Sequence, residues 1–342
     1  MVPSREREAV LSMSTEAERA NITRWGGGPG HYEVYYVKFN HRDSGTAFWI
    51  RYTLLAPLHG PAETAVWGIF FDAHAPSRNV AIKNSFPMSA SEIKQDRFFF
   101  RVGEASIDHA GARGRVRDTR HVMEWDLGFG PVAAPFFHFP LGLMYRTPVP
   151  KTKVVSPNLS VRVRGRVAVD GRVYTCEGEP GQQTHLWGTK HAEQWTWASC
   201  NSFKEDDTAI FEGLSARIRL GTRPVPALTI LLVRCAGREY RLNGLAGLFR
   251  NKSNSAFPVW RFAARQGSTR IEGRVGADTA SFVGVEYTDP DGERLWCYNT
   301  EVADMELSLY DKDNAITTLT SSHACAIEFA DRVRLPDIPI RI

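Results

Sequence analysis

The sequence has 342 residues, of which 43% are hydrophobic and 23% charged, as in an ordinary globular protein and unlike a disordered one. Its 42 Lys and Arg against 38 Asp and Glu give a net charge of only +4 without any block of like charge, so we expect no nucleic-acid partner. No run of about 18 apolar residues predicts a transmembrane helix, and the charged start Ser4–Glu8 lacks the apolar core of a secretory signal. We therefore expect a cytoplasmic protein.

The cysteines form no recognisable motif. Their number is odd, their spacing is wide and no CxxC pair occurs (Cys176, Cys200, Cys235, Cys297 and Cys325). This pattern argues against a disulfide framework and against a zinc site. GxGxxG, P-loop, HExxH and GxSxG motifs are also missing, and the six-residue spacing of His185 and His191 is only a weak metal signal. We expect buried free thiols, no metal and no cofactor.

The N-terminal third of the chain predicts a short helix followed by strands. Residues 1–24 are interpreted as a tail or short helix, and the Gly26–Gly30 stretch breaks the chain. The next runs, Tyr32–Lys38, Ala47–Leu55 and Ala65–Phe71, are rich in β-branched and aromatic residues and are separated by turn signals. Short strands at this spacing are typical of a sheet that coils into a barrel or sandwich.

The β pattern continues to the end of the chain. After further short strands, a Pro- and Phe-rich stretch from Gly130 to Pro157 is too dense in proline for a central strand. An alternating run from Val161 then enters a two-residue Asp170-Gly171 turn, and later strands follow to Tyr310. We predict an all-β chain in two units, residues 25–157 including the Pro/Phe-rich connection and residues 158–342.

One segment combines an unusual number of tryptophans. In a strand, Trp195 and Trp197 point to one face, whereas Thr196, Ala198 and Cys200 point to the other. Two large apolar rings on one face either plug a barrel or form the wall of an apolar cavity. The sequence leaves both interpretations open.

This segment resembles a known family. Trp187-Gly188 followed by Trp195-x-Trp197-x-x-Cys200-Asn201-x-Phe203 is similar to the second-barrel signature of plant and cyanobacterial tocopherol cyclases. The opening run Gly30–Lys38 and the hairpin around Asp170-Gly171 resemble the same family. The resemblance extends to carotenoid 1,2-hydratases (hydroxyneurosporene synthase-like), AttH-like proteins, lipocalin-like Diels–Alderases and yeast survival-factor-type proteins.

The resemblance implies two consecutive lipocalin-like (calycin-type) barrels and an apolar isoprenoid- or polyketide-like ligand. In the enzymes of this group, a double bond is protonated, and ring closure or water capture follows. Such chemistry needs a protonated acid in a dry pocket and aromatic faces beside the developing cation. Where the cyclases carry a Glu, this chain has Thr184, followed by His185. We expect His185 as a proton relay.

The acid itself is expected at Glu33, which is flanked by apolar and aromatic residues in a predicted strand. Burial in a barrel interior would raise its pKa. The alternative is an ion pair with Arg or Lys near a strand end. The predicted ligand-binding residues are mostly aromatic: Tyr35, Trp49, Trp67, Trp187, Trp195, Trp197 and Asn201.

Three functions fit these features. The first is acid-assisted cyclisation, hydration or isomerisation of an apolar molecule held in a barrel cavity. The second is a non-catalytic carrier of a lipid or pigment, and the third is a structural protein with filled barrels, because small barrels can pack their interiors with side chains. The sequence predicts a hydrophobic small-molecule ligand, leaves peripheral membrane contact open and does not indicate which barrel holds the site.

Overall fold

The computed structural model describes residues 16–130, 134–220, 223–312 and 314–342, with the backbone alone for residues 219, 220, 223 and 224. Residues 16–21 are helical (α1), and a second short helix, α2, spans Leu245–Arg250. Residues 1–15 of the predicted tail or helix lie outside the described residues. Neither described helix has the length and apolar character that a membrane crossing requires.

The first sheet has twelve antiparallel strands. They are β1 (His31–His41), β2 (Thr46–Ala56), β3 (Glu63–Asp72), β4 (Val80–Pro87), β5 (Ser91–Ile93), β6 (Phe99–Val102), β7 (Ala105–Asp108), β8 (Gly111–Arg117), β9 (Val122–Phe129), β10 (Phe136–Phe137), β11 (Thr152–Val169) and β12 (Arg172–Gly188). Their order is β4-β3-β2-β1-β12-β11-β9-β8-β7-β6-β5, with β10 on β11.

The second sheet has ten antiparallel strands, and β15 (Arg219–Leu220) with β16 (Arg223–Pro224) forms a separate ribbon. The ten are β13 (Gln194–Cys200), β14 (Ile210–Arg217), β17 (Leu228–Cys235), β18 (Arg238–Leu242), β19 (Lys252–Ala256), β20 (Val259–Gln266), β21 (Thr269–Gly276), β22 (Val283–Thr288), β23 (Arg294–Asp311) and β24 (Asn314–Asp331). Their order is β18-β17-β14-β13-β24-β23-β21-β20-β19, with β22 on β23.

Each sheet curls around its own apolar core. Tyr35, Phe48 and Trp125 belong to the core of the first sheet, and Phe211 and Trp260 belong to that of the second. The chain is thus all-β with two antiparallel barrels, which confirms the fold class predicted from the sequence.

The hairpin β11–β12 belongs to the first sheet. It is hydrogen-bonded to β1 and β9, so the ladder of the first barrel continues to Gly188. The predicted unit boundary after residue 157 therefore falls inside β11, because the Pro-rich stretch that suggested a linker runs directly into that strand. The division into two folding units stays a prediction.

The strands that face the second barrel are buried on both sides. In β1, Tyr35 and Val37 point into the first barrel, whereas Val34 and Tyr36 pack in an apolar cluster shared with the second barrel. By contrast, β9 alternates buried and exposed residues, because one of its faces meets solvent. The barrels pack against each other through β1–β3. Because both faces of these strands are buried, the three runs Tyr32–Lys38, Ala47–Leu55 and Ala65–Phe71 are almost continuously apolar.

Candidate active site

A cavity of about 810 Å³ lies between the two barrels. Val34, Trp49 and Leu186 line it from the first sheet, and Leu214 and Ile230 line it from the second. Its volume falls within the range of ligand pockets in proteins. The expectation of a cavity inside a barrel needs correction, because the barrel interiors hold the two packed cores and the space lies where their outer faces meet.

Aromatic side chains form much of the cavity wall. Trp195 and Trp197 line it side by side, and Tyr36 and Tyr287 face it from the two barrels. On the opposite face of the same strand, Ala198 and Cys200 belong to the core of the second barrel. The predicted alternation of this segment is therefore correct, and the pair of tryptophans forms a wall.

One carboxyl group lies within this aromatic wall. Glu328, on β24, lines the cavity and accepts a hydrogen bond of 2.5 Å from the indole Nε1 of Trp195. Burial raises the pKa of Glu328, and the opposing effects of the Trp195 hydrogen bond and the Arg51 charge are smaller. The neutral acid form of Glu328 therefore persists to higher pH than that of a solvated glutamate.

A histidine faces the same cavity with its orientation fixed. The Nδ1 of His191 lies 2.7 Å from Oδ1 of Asp289, whose other oxygen accepts a 2.6 Å bond from Arg332. The imidazole stacks on Tyr32 with ring centroids 4.0 Å apart. Because Nδ1–H donates to the carboxylate, the basic lone pair is on Nε2.

The charges of this dyad are set by its surroundings. Burial lowers the pKa of His191, and the hydrogen bond and charge of Asp289 offset only part of that effect. For Asp289, burial alone would raise the pKa, but the bonds from His191 and Arg332 lower it to about 2. The pair therefore consists of an ionised carboxylate and an imidazole that tends to stay neutral.

Arg51 supplies a buried positive charge at the cavity. Its guanidinium carbon lies 4.1 Å from the ring centroid of Tyr287 and 5.1 Å from that of Trp67, and the side chain is buried. Its Nε has no hydrogen-bond partner among the described residues. The guanidinium stacks on aromatic rings at the barrel interface.

Three carboxylates at one side of the cavity could hold a metal ion by their spacing. Oxygens of Asp289, Asp291 and Glu293 lie within 4.8 Å of one another. Each already faces a cation, because Lys190 lies 2.7 Å from Asp291 and 2.8 Å from Glu293, and Asp289 binds Arg332. The cluster is balanced by these ion pairs.

The predicted catalytic pair Glu33 and His185 lies outside the cavity lining. The carboxylate of Glu33 is buried on the face of β1 that points away from the cavity, and it receives bonds from Thr23 Oγ1, the amides of Arg24 and Trp25, and the hydroxyl of Tyr35. His185 Nε2 lies 2.8 Å from Glu33 Oε1, and its Nδ1 lies 2.8 Å from the carbonyl oxygen of Ala20. The pair fastens the segment after α1 to the first barrel.

The electrostatics of Glu33 correct the expected acid role. Burial alone would raise its pKa, but hydrogen bonds from His185 and His31 outweigh that effect and hold the pKa well below its usual range. Glu33 is therefore an ionised acceptor rather than a proton donor. Thr184, the neighbour of His185 on β12, does line the cavity, because successive side chains of a strand point to opposite faces.

The predicted ligand-binding residues divide into two groups. Trp49, Trp195 and Trp197 line the cavity. The others lie elsewhere: Tyr35 in the first core, Trp67 beneath Arg51, Trp187 against His185, and Asn201 bonded to the Gly181 carbonyl.

Two further buried glutamates lie near the cavity without lining it. Glu212 accepts bonds from His138, Gln182 and Trp197, which satisfy its carboxylate. Burial raises the pKa of Glu301 to about 8, with the charge of Lys38 opposing it. Among the cavity-lining groups, Glu328 is thus the carboxyl with a raised pKa.

The sequence interpretation missed Glu328, Asp289 and Arg332, and treated His191 only as part of a weak metal signal. A signal for Glu328 was present: it is a single charged residue in the otherwise apolar run Ala324–Ala330. The dyad partners are 98 residues apart in the chain, and only the packing of the two barrels brings them together.

Comparisons with known proteins agree with this architecture. A model of the tocopherol cyclase-like family matches residues 151–330, a little over half of the chain. Uncharacterized proteins from two strains of Mycobacterium tuberculosis are 25% identical to this chain over 298 residues, which is 87% of this chain and 87% of each relative.

Solved structures share the two-barrel fold at low identity. An AttH candidate from Nitrosomonas europaea superimposes with a TM-score of 0.52 and 10% identity, covering 88% of this chain and 92% of the other. Kievitone hydratase from Nectria haematococca superimposes with a TM-score of 0.51 and 11% identity, covering 91% of this chain and 90% of the other. CghA superimposes with a TM-score of 0.53 and 8% identity, covering 91% of this chain and 93% of the other. These likenesses support the lipocalin-like double barrel.

Proposed function

The chain belongs to the tocopherol cyclase-like family, and from that premise we propose that it binds an apolar isoprenoid- or polyketide-like molecule between its barrels and catalyses an acid-initiated cyclisation, hydration or isomerisation. The observation that carries this proposal is a cavity-lining carboxyl of raised pKa, Glu328, set among aromatic rings. A neutral carboxylic acid in a dry, apolar site is the form that can protonate a carbon–carbon double bond.

The first step is proton transfer from Glu328. The carboxyl gives its proton to one alkene carbon, the π electrons form the new C–H bond, and the other carbon becomes cationic. The faces of Trp195, Trp197 and Tyr287 lie along the same cavity and stabilise that positive charge through their ring quadrupoles. The carboxylate left behind retains the 2.5 Å hydrogen bond from Trp195.

The second step is capture of the cation by an oxygen nucleophile or loss of a neighbouring proton. In hydration the nucleophile is water, and in cyclisation it is a hydroxyl of the substrate. His191 accepts the released proton at Nε2, and Asp289 stabilises the imidazolium that forms. The environments shift the pKa values in opposite directions, Glu328 upward and His191 downward, as an acid–base pair requires.

Arg51 points to the polarity of the ligand. A buried guanidinium with an unpaired Nε in an otherwise apolar cavity suits one oxygen-bearing end of a molecule whose remaining body is hydrophobic. Kievitone hydratase, whose fold is the same, is named for adding water to kievitone. We place the substrate of this protein among largely apolar molecules with an oxygen-bearing end.

A carrier without chemistry is the second candidate function. The observation that favours it is the Trp195 bond to Glu328, because a carboxyl that accepts a short hydrogen bond is partly satisfied as an anion. Both functions use the same cavity. They differ in whether the bound molecule changes.

Native mass spectrometry of the purified protein, followed by organic extraction, identifies the molecule that occupies the cavity. With that molecule and related alkenes as substrates, Glu328→Gln is expected to lower kcat about 10²- to 10⁴-fold and to leave Kd within about threefold. The amide has nearly the shape of the carboxyl group but lacks its acidic proton. Glu124→Gln, on the exposed face of β9, is the control and should behave as wild type.

Unchanged turnover in Glu328→Gln would remove this residue from the mechanism. Tight binding by the wild-type protein with no conversion of any bound alkene would leave the carrier function in its place.

A further inference from the structure

The surface beside the cavity carries a group of exposed apolar side chains. Leu141, Leu143 and Val149 belong to the Pro-rich connection, and Leu245 and Phe249 belong to α2. Leu143 is 64% exposed and Phe249 is 68% exposed. We call these five residues the docking patch. Clustered exposed hydrophobic side chains on a monomer commonly mark an interaction surface.

The two segments of the docking patch lie side by side. The side-chain amide of Asn243, just before α2, donates to the carbonyl oxygens of Phe137 and His138, both at 3.1 Å. Beneath the surface, Phe136 and Leu248 share one buried cluster. The exposed residues of the connection and of α2 therefore form one surface.

This surface lies at the cavity. Met144 and Val149 of the connection and Leu248 of α2 line the cavity, while Leu143 and Phe249, on the same two segments, face outward. An apolar molecule that crossed the patch would thus meet apolar side chains from the surface to the cavity wall.

The two chain segments that carry the patch contain basic residues but no acidic ones. No Asp or Glu occurs in the sequence from Leu127 to Val169 or from Tyr240 to Ile271. The same two stretches place exposed cations beside the patch: Arg146, Lys151, Arg250 and Lys252. In a chain with almost equal numbers of acids and bases, this local bias places cations beside an apolar centre, and we call these four cations the rim of the patch. Glu293, which lines the same cavity, is paired with Lys190.

We propose that the docking patch binds the surface of an anionic lipid bilayer, so that the apolar ligand passes between the membrane and the cavity. Exposed Leu and Phe side chains enter the boundary between headgroups and acyl chains, and the surrounding Lys and Arg side chains attract anionic headgroups. Passage of the ligand rests on the proposed function. Docking itself does not, because it needs only the patch and its rim.

Flotation of the ligand-free protein with lipid vesicles tests the docking. We expect the protein to float with vesicles of phosphatidylcholine mixed with phosphatidylglycerol and much less with phosphatidylcholine alone. Leu143→Ser with Phe249→Ser should weaken binding about tenfold or more, since two apolar anchors are lost. Arg250→Gln should weaken it about fivefold and reduce its dependence on salt.

The matched control is Val173→Ser with Val333→Ser, two side chains that are 59% and 72% exposed outside the two patch segments. This double variant should bind vesicles as the wild type does. Thermal unfolding of all variants verifies that exposed substitutions leave the fold intact.

The proposal is overturned if the wild-type protein does not float with anionic vesicles or if Leu143→Ser with Phe249→Ser floats equally well. It is also overturned if sedimentation shows a dimer that only this double variant dissociates, because the patch would then bind a second copy. Vesicle binding without turnover would contradict the proposed function alone, and turnover of dissolved substrate without vesicle binding would contradict the docking alone.

Discussion

Two buried glutamates of this protein have opposite surroundings. Glu33, on the face of β1 that points away from the cavity, is surrounded by hydrogen-bond donors from the segment after α1 and from His31, Tyr35 and His185, and its pKa is held well below the usual range. Glu328, at the cavity between the barrels, has only the Trp195 indole and the Cys297 thiol as side-chain donors among the described residues, and burial raises its pKa. Burial raises the pKa of both carboxyl groups, so burial alone does not set the direction of the net pKa shift. The number of donors that face it decides the direction.

The difference also separates stability from chemistry. The donors around Glu33 join the N-terminal segment, β1 and β12, so the ionised carboxylate holds three parts of the chain together. Glu328 has few such contacts and faces open space, where a substrate can come within reach of its proton. The two residues are expected to respond oppositely to the same substitution.

The largest expected effect on stability comes from Glu33→Gln. The amide cannot accept from all the surrounding donors, and its own NH₂ group would face the ring N–H donors of His31 and His185, so we expect a loss of about 3–5 kcal/mol in the free energy of unfolding. Urea unfolding at pH 7 measures this loss.

The pH dependence sharpens the same prediction. Because the folded-state pKa of Glu33 lies below its value in the unfolded chain, its stabilisation is fully present above the unfolded value and is lost as the pH falls toward the folded one. The gap between wild type and Glu33→Gln should thus shrink in acid. The control Glu124→Gln removes a half-exposed ion pair with Arg115 and should cost less than about 1 kcal/mol. Equal losses for both variants would contradict the assignment of Glu33.

A smaller effect of opposite sign is expected for Glu328→Gln. Its folded-state pKa lies above the unfolded value, so the ionised side chain disfavours the fold as the pH rises through the folded value. A neutral amide avoids that penalty, and the variant should be as stable as wild type at pH 5 and more stable at pH 8, by on the order of 0.5–1 kcal/mol. Lower stability at pH 8 would mean that Glu328 is needed as an ion, like Glu33.

The fold could be predicted from the sequence because its signals are local. The runs Ala47–Leu55 and Ala65–Phe71 combine β-forming residues with turn signals, and the Asp170-Gly171 turn defines the hairpin β11–β12. The end of the first sheet at Gly188 could not be predicted, because strand order depends on pairing between β1 and β12, which are about 150 residues apart in the chain.

The site was predictable only in part. The alternation around Trp195 and Trp197 gave the aromatic wall correctly, since side-chain direction in a strand follows from its period of two. The sequence does not distinguish Glu33 from Glu328 as the candidate acid. Both glutamates lie in apolar runs, and the donors that distinguish them, such as His185 and the amides after α1, come from distant segments.

Infrared titration of the protonated carboxyl band tests the central claim most directly, with Glu328→Gln, Glu301→Gln and Glu33→Gln as references. Because Glu301 also keeps its proton to higher pH, the account predicts a protonated band with one component that Glu328→Gln removes and that persists in Glu301→Gln and Glu33→Gln. This component disappears only above the pH at which solvated glutamates ionise. A band that Glu328→Gln leaves unchanged, or an ionised Glu328 throughout that range, would contradict the assignment of Glu328 as the acid.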